Sequence, residues 1–182
     1  MTEHTDQDIL IAFRDMNSRN YAFNVLVKKY QQSIYYHIRR IVIDHDDTDD
    51  LVQNTFIKIY QNLDSFREDA QLFTWIYRIA TNEALAFLKS KRNKFFLPFI
   101  DVEKQLSNTL KDNQFFNGDE IQLKLQKAIL SLPEKQRLVF NMRYYEEMKY
   151  EEMSEILGTS VGALKASYHI AAKKIEEFVK QD

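Results

Sequence analysis

YEEMSEILGTSVGALKASYHIAAKKIEEF, Tyr150 to Phe178, decides how the rest of the chain is read. Tyr150, Met153 and Leu157 recur at helical spacing. Gly158 follows, and a residue without a Cβ readily takes the positive φ that ends a helix. Ser160 is placed to cap a second helix. In that helix Leu164, Tyr168, Ala171, Ile175 and Phe178 step by three and four, one stripe for burial. The opposite face carries Gly162, Lys165, Ala166, His169 and Lys173. Small side chains permit close approach to a DNA major groove, and cationic ones are drawn to its phosphates. Two helices about a glycine turn make a helix-turn-helix, although the same pattern fits an ordinary αα-corner.

The composition sets the outer limits. At 182 residues, 45 % of them hydrophobic, the chain can build a real core in one domain or two small ones. Three Gly and two Pro among plentiful Ala, Leu, Lys, Glu and Gln predict an all-α protein. The absence of Cys removes any disulfide framework or thiolate metal site and suits a reducing cytoplasm. The acidic start MTEHTDQD is no signal peptide. No apolar run reaches the roughly 18 residues of a membrane span, so membrane insertion is not expected. At a net charge of −2, contact with nucleic acid must come from local patches or with help from a partner. His4, His37, His45 and His169 show no ligand spacing, and there is no Gly-rich phosphate loop. Asp46, Asp47, Asp49 and Asp50 read as solvated charge rather than a Mg²⁺ site, so no metal, cofactor or enzyme chemistry is expected.

Along the chain, Thr5 can cap a first helix that buries Ile9, Leu10 and Phe13. A long helix is predicted over about 21–42. The run DHDDTDD, Asp44 to Asp50, then favours a loop or a helix start, with Asp47 or Thr48 as the cap. The next helix turns Leu51, Phe56, Ile59 and Leu63 toward a core, and 63–70 reads as a loop. A strong helix is predicted over about 71–91. Phe73, Ile76, Ala80, Ala84 and Phe87 line one of its faces, and Trp75, Arg78, Asn82 and Lys89 another. An aromatic ring beside Arg and Asn, ending in Lys89, Lys91, Arg92 and Lys94, suits single-stranded nucleic acid. Core packing and the helix dipole are the competing explanations of the same residues. Periodicity then fails to about residue 117, around Pro98 and Gly118. Helices resume near Asp119 and after Leu132-Pro133. The expected architecture is two small helical domains, 1–94 and 119–182, joined by a flexible linker, 95–118.

Three segments in this order carry a resemblance: DDTDDLVQNTFIKIYQNL, FREDAQLFTWIYRIATNEALAFLKSKR, and LPEKQRLVFNMRYYEEMKYEEMSEILGTSVGALKASYHIAAKKI. Together the chain closely resembles a bacterial sigma factor of the extracytoplasmic-function group, over about 21–178. The resemblance implies a promoter-specificity subunit whose partners are core RNA polymerase, promoter DNA and an anti-sigma factor that clamps the two domains at rest. It also implies a monomer when free. Asp50, Leu51, Gln53, Asn54, Phe56 and Lys58 fall in the segment that resembles the polymerase-binding helix. Ser65, Phe66, Arg67, Thr74, Trp75, Arg78, Asn82, Lys89 and Arg92 match the segment that captures unpaired bases of the minus-ten element. Ser160, Gly162, Lys165, Ala166, His169, Ile170 and Lys173 match the surface that reads the minus-thirty-five duplex. At Ile170 many members of the family have Arg. An arginine fork grips guanine, whereas Ile offers only apolar contact, for instance to a thymine methyl. Read without the resemblance, a conventional regulator using only the helix-turn-helix, with a sensor or dimerising N-terminal domain, fits as well.

Overall fold

The computed structural model describes residues 4–95 and 120–180. Eight α-helices and one 3₁₀ turn account for the regular structure there, and no strand is found among the described residues. The expected all-α class is what the chain adopts.

α1 (Asp6–Arg14) opens on a capping box: Thr5 accepts from the Asp8 N–H, and the Asp8 carboxylate accepts from the Thr5 N–H. It buries Ile9, Leu10 and Phe13, as the spacing predicts. α2 (Arg19–Val42) buries a stripe through Leu26, Tyr30, Ile34 and Ile38. Ile43 ends it in the left-handed region, at φ 68°. That single residue fixes the next boundary. Asp44, not Asp47 or Thr48, caps α3 (His45–Asn62), accepting from the Asp47 N–H at 3.0 Å. The aspartate run is therefore the first turns of a helix, where carboxylates meet the positive end of the dipole. A 3₁₀ turn (Leu63–Ser65) and an irregular loop lead into α4 (Leu72–Phe95), which runs one turn past its predicted end.

The C-terminal half holds α5 (Glu120–Leu130), α6 (Glu134–Tyr144), α7 (Tyr150–Leu157) and α8 (Val161–Lys180). Pro133 stands at the cap position just ahead of α6. Gly158 has φ 62° and closes α7, and its N–H donates to the Ser154 carbonyl. Ser160 caps α8 by accepting from the Ala163 N–H at 3.3 Å. The helix-turn-helix is thus built from the residues that predict it.

Two apolar clusters organise the packing. One lies within the C-terminal half, where Ile129, Leu132, Phe140, Ala171 and Ile175 join α5, α6 and α8. The larger fills the α1–α4 bundle and continues through Leu138, Met142, Met153, Ile156 and Leu164. The two halves therefore share a core instead of standing apart. Of the expected linker, only Phe95 is described, as the last residue of α4; the rest lies outside the described residues.

Candidate nucleic-acid and polymerase interface

On α8 the sequence-predicted faces hold. Leu164, Ala171 and Ile175 are buried, while Ser160, Gly162, Lys165, Ala166, His169, Ile170 and Lys173 are all exposed. Tyr168 is half-buried and stacks on Phe140, with ring centroids 5.6 Å apart and planes 12° from parallel. That stack fixes the rotation of α8 about its axis. A Cβ built on Gly162 meets no atom of the protein within 4 Å, so internal packing does not call for glycine there. Ile170 is 45 % exposed, a large apolar side chain amid a basic helix face.

The loop before α4 is held at two points. Glu68 adopts φ 60°, and its carboxylate meets Arg14 and Gln7 of α1. The hydrogen bond from Arg14, then that from Gln7, lowers the Glu68 carboxyl below its ordinary value. Asp64 accepts both Arg19 Nη atoms, at 3.1 and 2.5 Å, and the same guanidinium lies over the Phe13 ring. Ser65 and Arg67 are exposed on this loop. Phe66 and Thr74 depart from the sequence expectation: both are buried, so neither presents its side chain to a base in this geometry. Phe66 turns inward because its ring packs on Trp75, with centroids 5.2 Å apart. Trp75 and Arg78 are half-buried, and Asn82 and Lys89 are exposed. The side chain of Arg92 lies outside the described residues.

On α3, Asp50, Gln53, Asn54 and Lys58 are exposed, whereas Leu51 and Phe56 are buried. The two apolar members of this set anchor the helix from behind, as the helical spacing predicts. Phe56 still reaches the floor of an apolar groove between α2 and α3, with Phe23, Val27, Val52, Gln53 and Tyr60 around it. On the α2 side of that groove, Phe23 and Val27 share the apolar helical spacing of Leu26 and Tyr30, so spacing alone does not separate them from the core. Lys58 pairs with Glu83 of α4 at 2.5 Å.

A polar cluster missed in the sequence joins the two halves. His37 of α2 is 1 % exposed, and its Nδ1 lies 3.0 Å from both carboxylate oxygens of Glu146 in the α6–α7 loop. Its Nε2 lies 2.8 Å from the Thr81 hydroxyl of α4. Arg40 Nη1 approaches Glu146 at 3.5 Å and covers the Tyr145 ring. The Tyr77 ring lies 4.9 Å from the His37 ring, and burial pushes the Tyr77 hydroxyl up to about 12. Nearby, Arg78 donates its Nε–H to the Glu155 carbonyl of α7 at 3.1 Å.

Residues 26–94 match the family Sigma-70 region 2, and residues 122–175 match Sigma-70, region 4. The RNA polymerase sigma-H factor of Pseudomonas aeruginosa is 31 % identical, over 97 % of this chain and 95 % of its own length. The chain belongs to the extracytoplasmic-function group of the sigma-70 family. It is an RNA polymerase sigma factor, which directs transcription initiation at promoters by binding core polymerase and promoter DNA. The ECF sigma-E factor of Escherichia coli K12 is also 31 % identical, over 99 % of this chain and 97 % of that protein. Two solved structures share the fold of this sigma factor. CnrH in complex with the cytosolic domain of CnrY has a TM-score of 0.68 at 22 % identity, covering 97 % of this chain and 99 % of that one. The sigma factor RpoE in complex with the anti-sigma factor NepR from Bartonella quintana has a TM-score of 0.67 at 20 % identity, covering 88 % and 98 %. Among the described residues no helix is long and apolar enough to cross a membrane, and no cluster of three potential metal ligands occurs.

Proposed function

We propose that the two halves of this sigma factor divide promoter recognition. The α3 surface of Asp50, Gln53, Asn54 and Lys58, with the neighbouring groove, docks on core polymerase. The 63–70 loop and the α4 face of Trp75, Arg78, Asn82 and Lys89 hold the separated minus-ten strand. The exposed face of α8 reads the minus-thirty-five element as duplex. The observation that carries this reading is that face: seven residues of the expected kind are exposed together while Leu164, Ala171 and Ile175 between them are buried. Opening DNA costs about 1.4 kcal/mol per base-pair step. Stacking a released base on an aromatic or guanidinium plane returns about 1–3 kcal/mol, so a few captured bases offset a short bubble without ATP. The chain catalyses no reaction of its own and works in the cytoplasm beside the polymerase. An anti-sigma factor restrains it at rest; in support, one structure of like fold is bound to an anti-sigma factor, and another to the cytosolic domain of CnrY.

The division of labour is tested by transcription with purified core polymerase on two templates, one fully duplex and one already open at the start site and lacking the upstream element. Lys165→Glu should abolish initiation on the first and spare the second. Arg78→Ala should impair both. Equal loss on both templates for Lys165→Glu would refute the assignment of α8.

A further inference from the structure

We propose that Tyr150 is a positioning residue for duplex recognition: its ring holds the ammonium of Lys165 in place on the exposed face of α8 without neutralising it. The inference rests on the reading of α8 given above. Tyr150 is the first residue of α7, and its half-buried ring meets side chains of both neighbouring helices. From α8, the Lys165 Nζ stands 5.6 Å from the ring centroid. Tyr168, three residues further along α8 and so on the same side of that helix, sets its ring at 75° to the Tyr150 ring, with centroids 6.5 Å apart. From α6, the Arg143 guanidinium lies over the Tyr150 ring at 5.4 Å. Its Nη1 donates to the carbonyls of Glu147 and Met148, at 3.3 and 3.0 Å, which ties the guanidinium to the α6–α7 loop. The ring is thus fixed by α6, by α8 and by its own backbone, and Lys165 rests on a platform that does not move with it.

Lys165 differs from other cations of α8 in the kind of partner it has. Lys173 lies 4.0 Å from Glu177, and Lys180 lies 2.5 Å from Glu176. Among the described residues no carboxylate pairs with Lys165. A carboxylate partner has to be given up or shared when a phosphate arrives. An aromatic face attracts the cation through its quadrupole and leaves the charge whole. The ammonium has three N–H donors and a ring can face only one side of it, so donors remain for a phosphate oxygen. A free lysine side chain also surrenders rotamer entropy when it binds. One already resting on a ring has surrendered part of it during folding.

The experiment measures equilibrium binding of holoenzyme, core polymerase with the full chain, to a duplex fragment carrying the minus-thirty-five element, over a range of salt. Position 150 carries tyrosine, phenylalanine, phenylalanines of increasing ring fluorination, or leucine. Each is made with Lys165 and with Lys165→Gln. Fluorination keeps the shape of the ring and drains electron density from its face, so it tests the contact with little demand on folding. Tyr150→Phe should bind as the parent does. Affinity should then fall stepwise as fluorine is added, and Tyr150→Leu should lose about two- to fivefold, the scale of one exposed cation–π contact. Lys165→Gln should make the slope of log affinity against log salt shallower by about 0.9, one phosphate. In that background the dependence on residue 150 should vanish, because Tyr150 acts through the lysine. Losses that persist beside Lys165→Gln, or an affinity indifferent to fluorination, overturn the positioning role and leave the ring to packing alone. An equal loss in Tyr150→Phe and Tyr150→Leu assigns the effect to the hydroxyl and overturns it as well. If Lys165→Gln changes neither affinity nor slope, the reading of α8 itself fails and takes the inference with it, a result distinct from any difference among residues at 150.

Discussion

Replacing Trp75 by alanine separates the structural from the functional use of one ring. The indole is half-buried and leans on Phe66, with centroids 5.2 Å apart and planes 42° from parallel. Truncating a fully buried Trp costs about 3–5 kcal/mol, so a half-buried one should cost about 2 kcal/mol of stability. That figure includes about 0.5–1.5 kcal/mol for the lost aromatic pair. As a stacking platform the same ring is worth about 1–3 kcal/mol per captured base, a five- to roughly 150-fold loss in stable promoter opening. Gln53 and Asn54 lie on a different helix, so affinity for core polymerase should change less than twofold. The assay is promoter opening by holoenzyme, followed through a fluorescent base analogue in the bubble, beside a thermal melt and a core-binding titration. Trp75→Phe, which keeps a ring against Phe66, should recover most of the opening. If opening and core affinity fall in proportion, and phenylalanine restores neither, Trp75 is a packing residue and the strand-capture argument built on it is wrong.

Other tests follow from the same geometry. Leu164→Asp should unfold the C-terminal half, since it places an unpaired charge in a site 1 % exposed; a cooperative melt like that of the parent chain would reverse the face assignment of α8. If Ile170 reads a thymine methyl, replacing thymine by uracil at one minus-thirty-five position should weaken binding several-fold for the parent and not at all for Ile170→Ala. The lowered Glu68 carboxyl adds stability above the ordinary carboxyl value of 4.5, and this is lost as pH falls through the depressed folded value. Amide protection factors in the 63–70 loop, corrected for the intrinsic pH dependence of exchange, should therefore fall on acidification, and that fall should be absent in Glu68→Gln. Burial of the Tyr77 hydroxyl works in the opposite sense: its contribution is intact below pH 10.0 and disappears as pH rises through about 12. Tyrosinate absorbance should show Tyr77, with buried Tyr30 and half-buried Tyr145, ionising late and together with unfolding.

Local signals were legible wherever one residue type settles one backbone event. Thr5 with Asp8, Gly158 and Ser160 each announce a helix end, and each stands where the sequence puts it. The α8 stripe was legible because Leu164, Ala171 and Ile175 repeat at a single period. The start of α3 was not, because the clustered aspartates offer several equivalent caps and the left-handed Ile43 that chooses among them has no signature in its side chain. Burial of Phe66 was hidden for a similar reason: a lone aromatic in a loop has no period to assign its side. His37 and Glu146 meet across a sequence separation of 109, beyond the reach of any local pattern. The exposed face of α8 was thus readable from helix periodicity, while the residues that govern how the halves meet required the fold.

If the 63–70 loop captures bases as proposed, its bracing by Gln7 and Arg14 of α1, beside Arg19 at the start of α2, gives the opening helix a role in promoter melting. Fixing a backbone residue in one conformation costs about 1–2 kcal/mol, and here that ordering is completed when the protein folds. A base arriving from the duplex finds a rigid receptacle rather than a slack one. A chain with Gln7 and Arg14 both replaced by alanine would keep every base-facing atom yet shift that entropic burden onto the moment of capture, and should initiate more slowly at promoters whose bubbles are hardest to form.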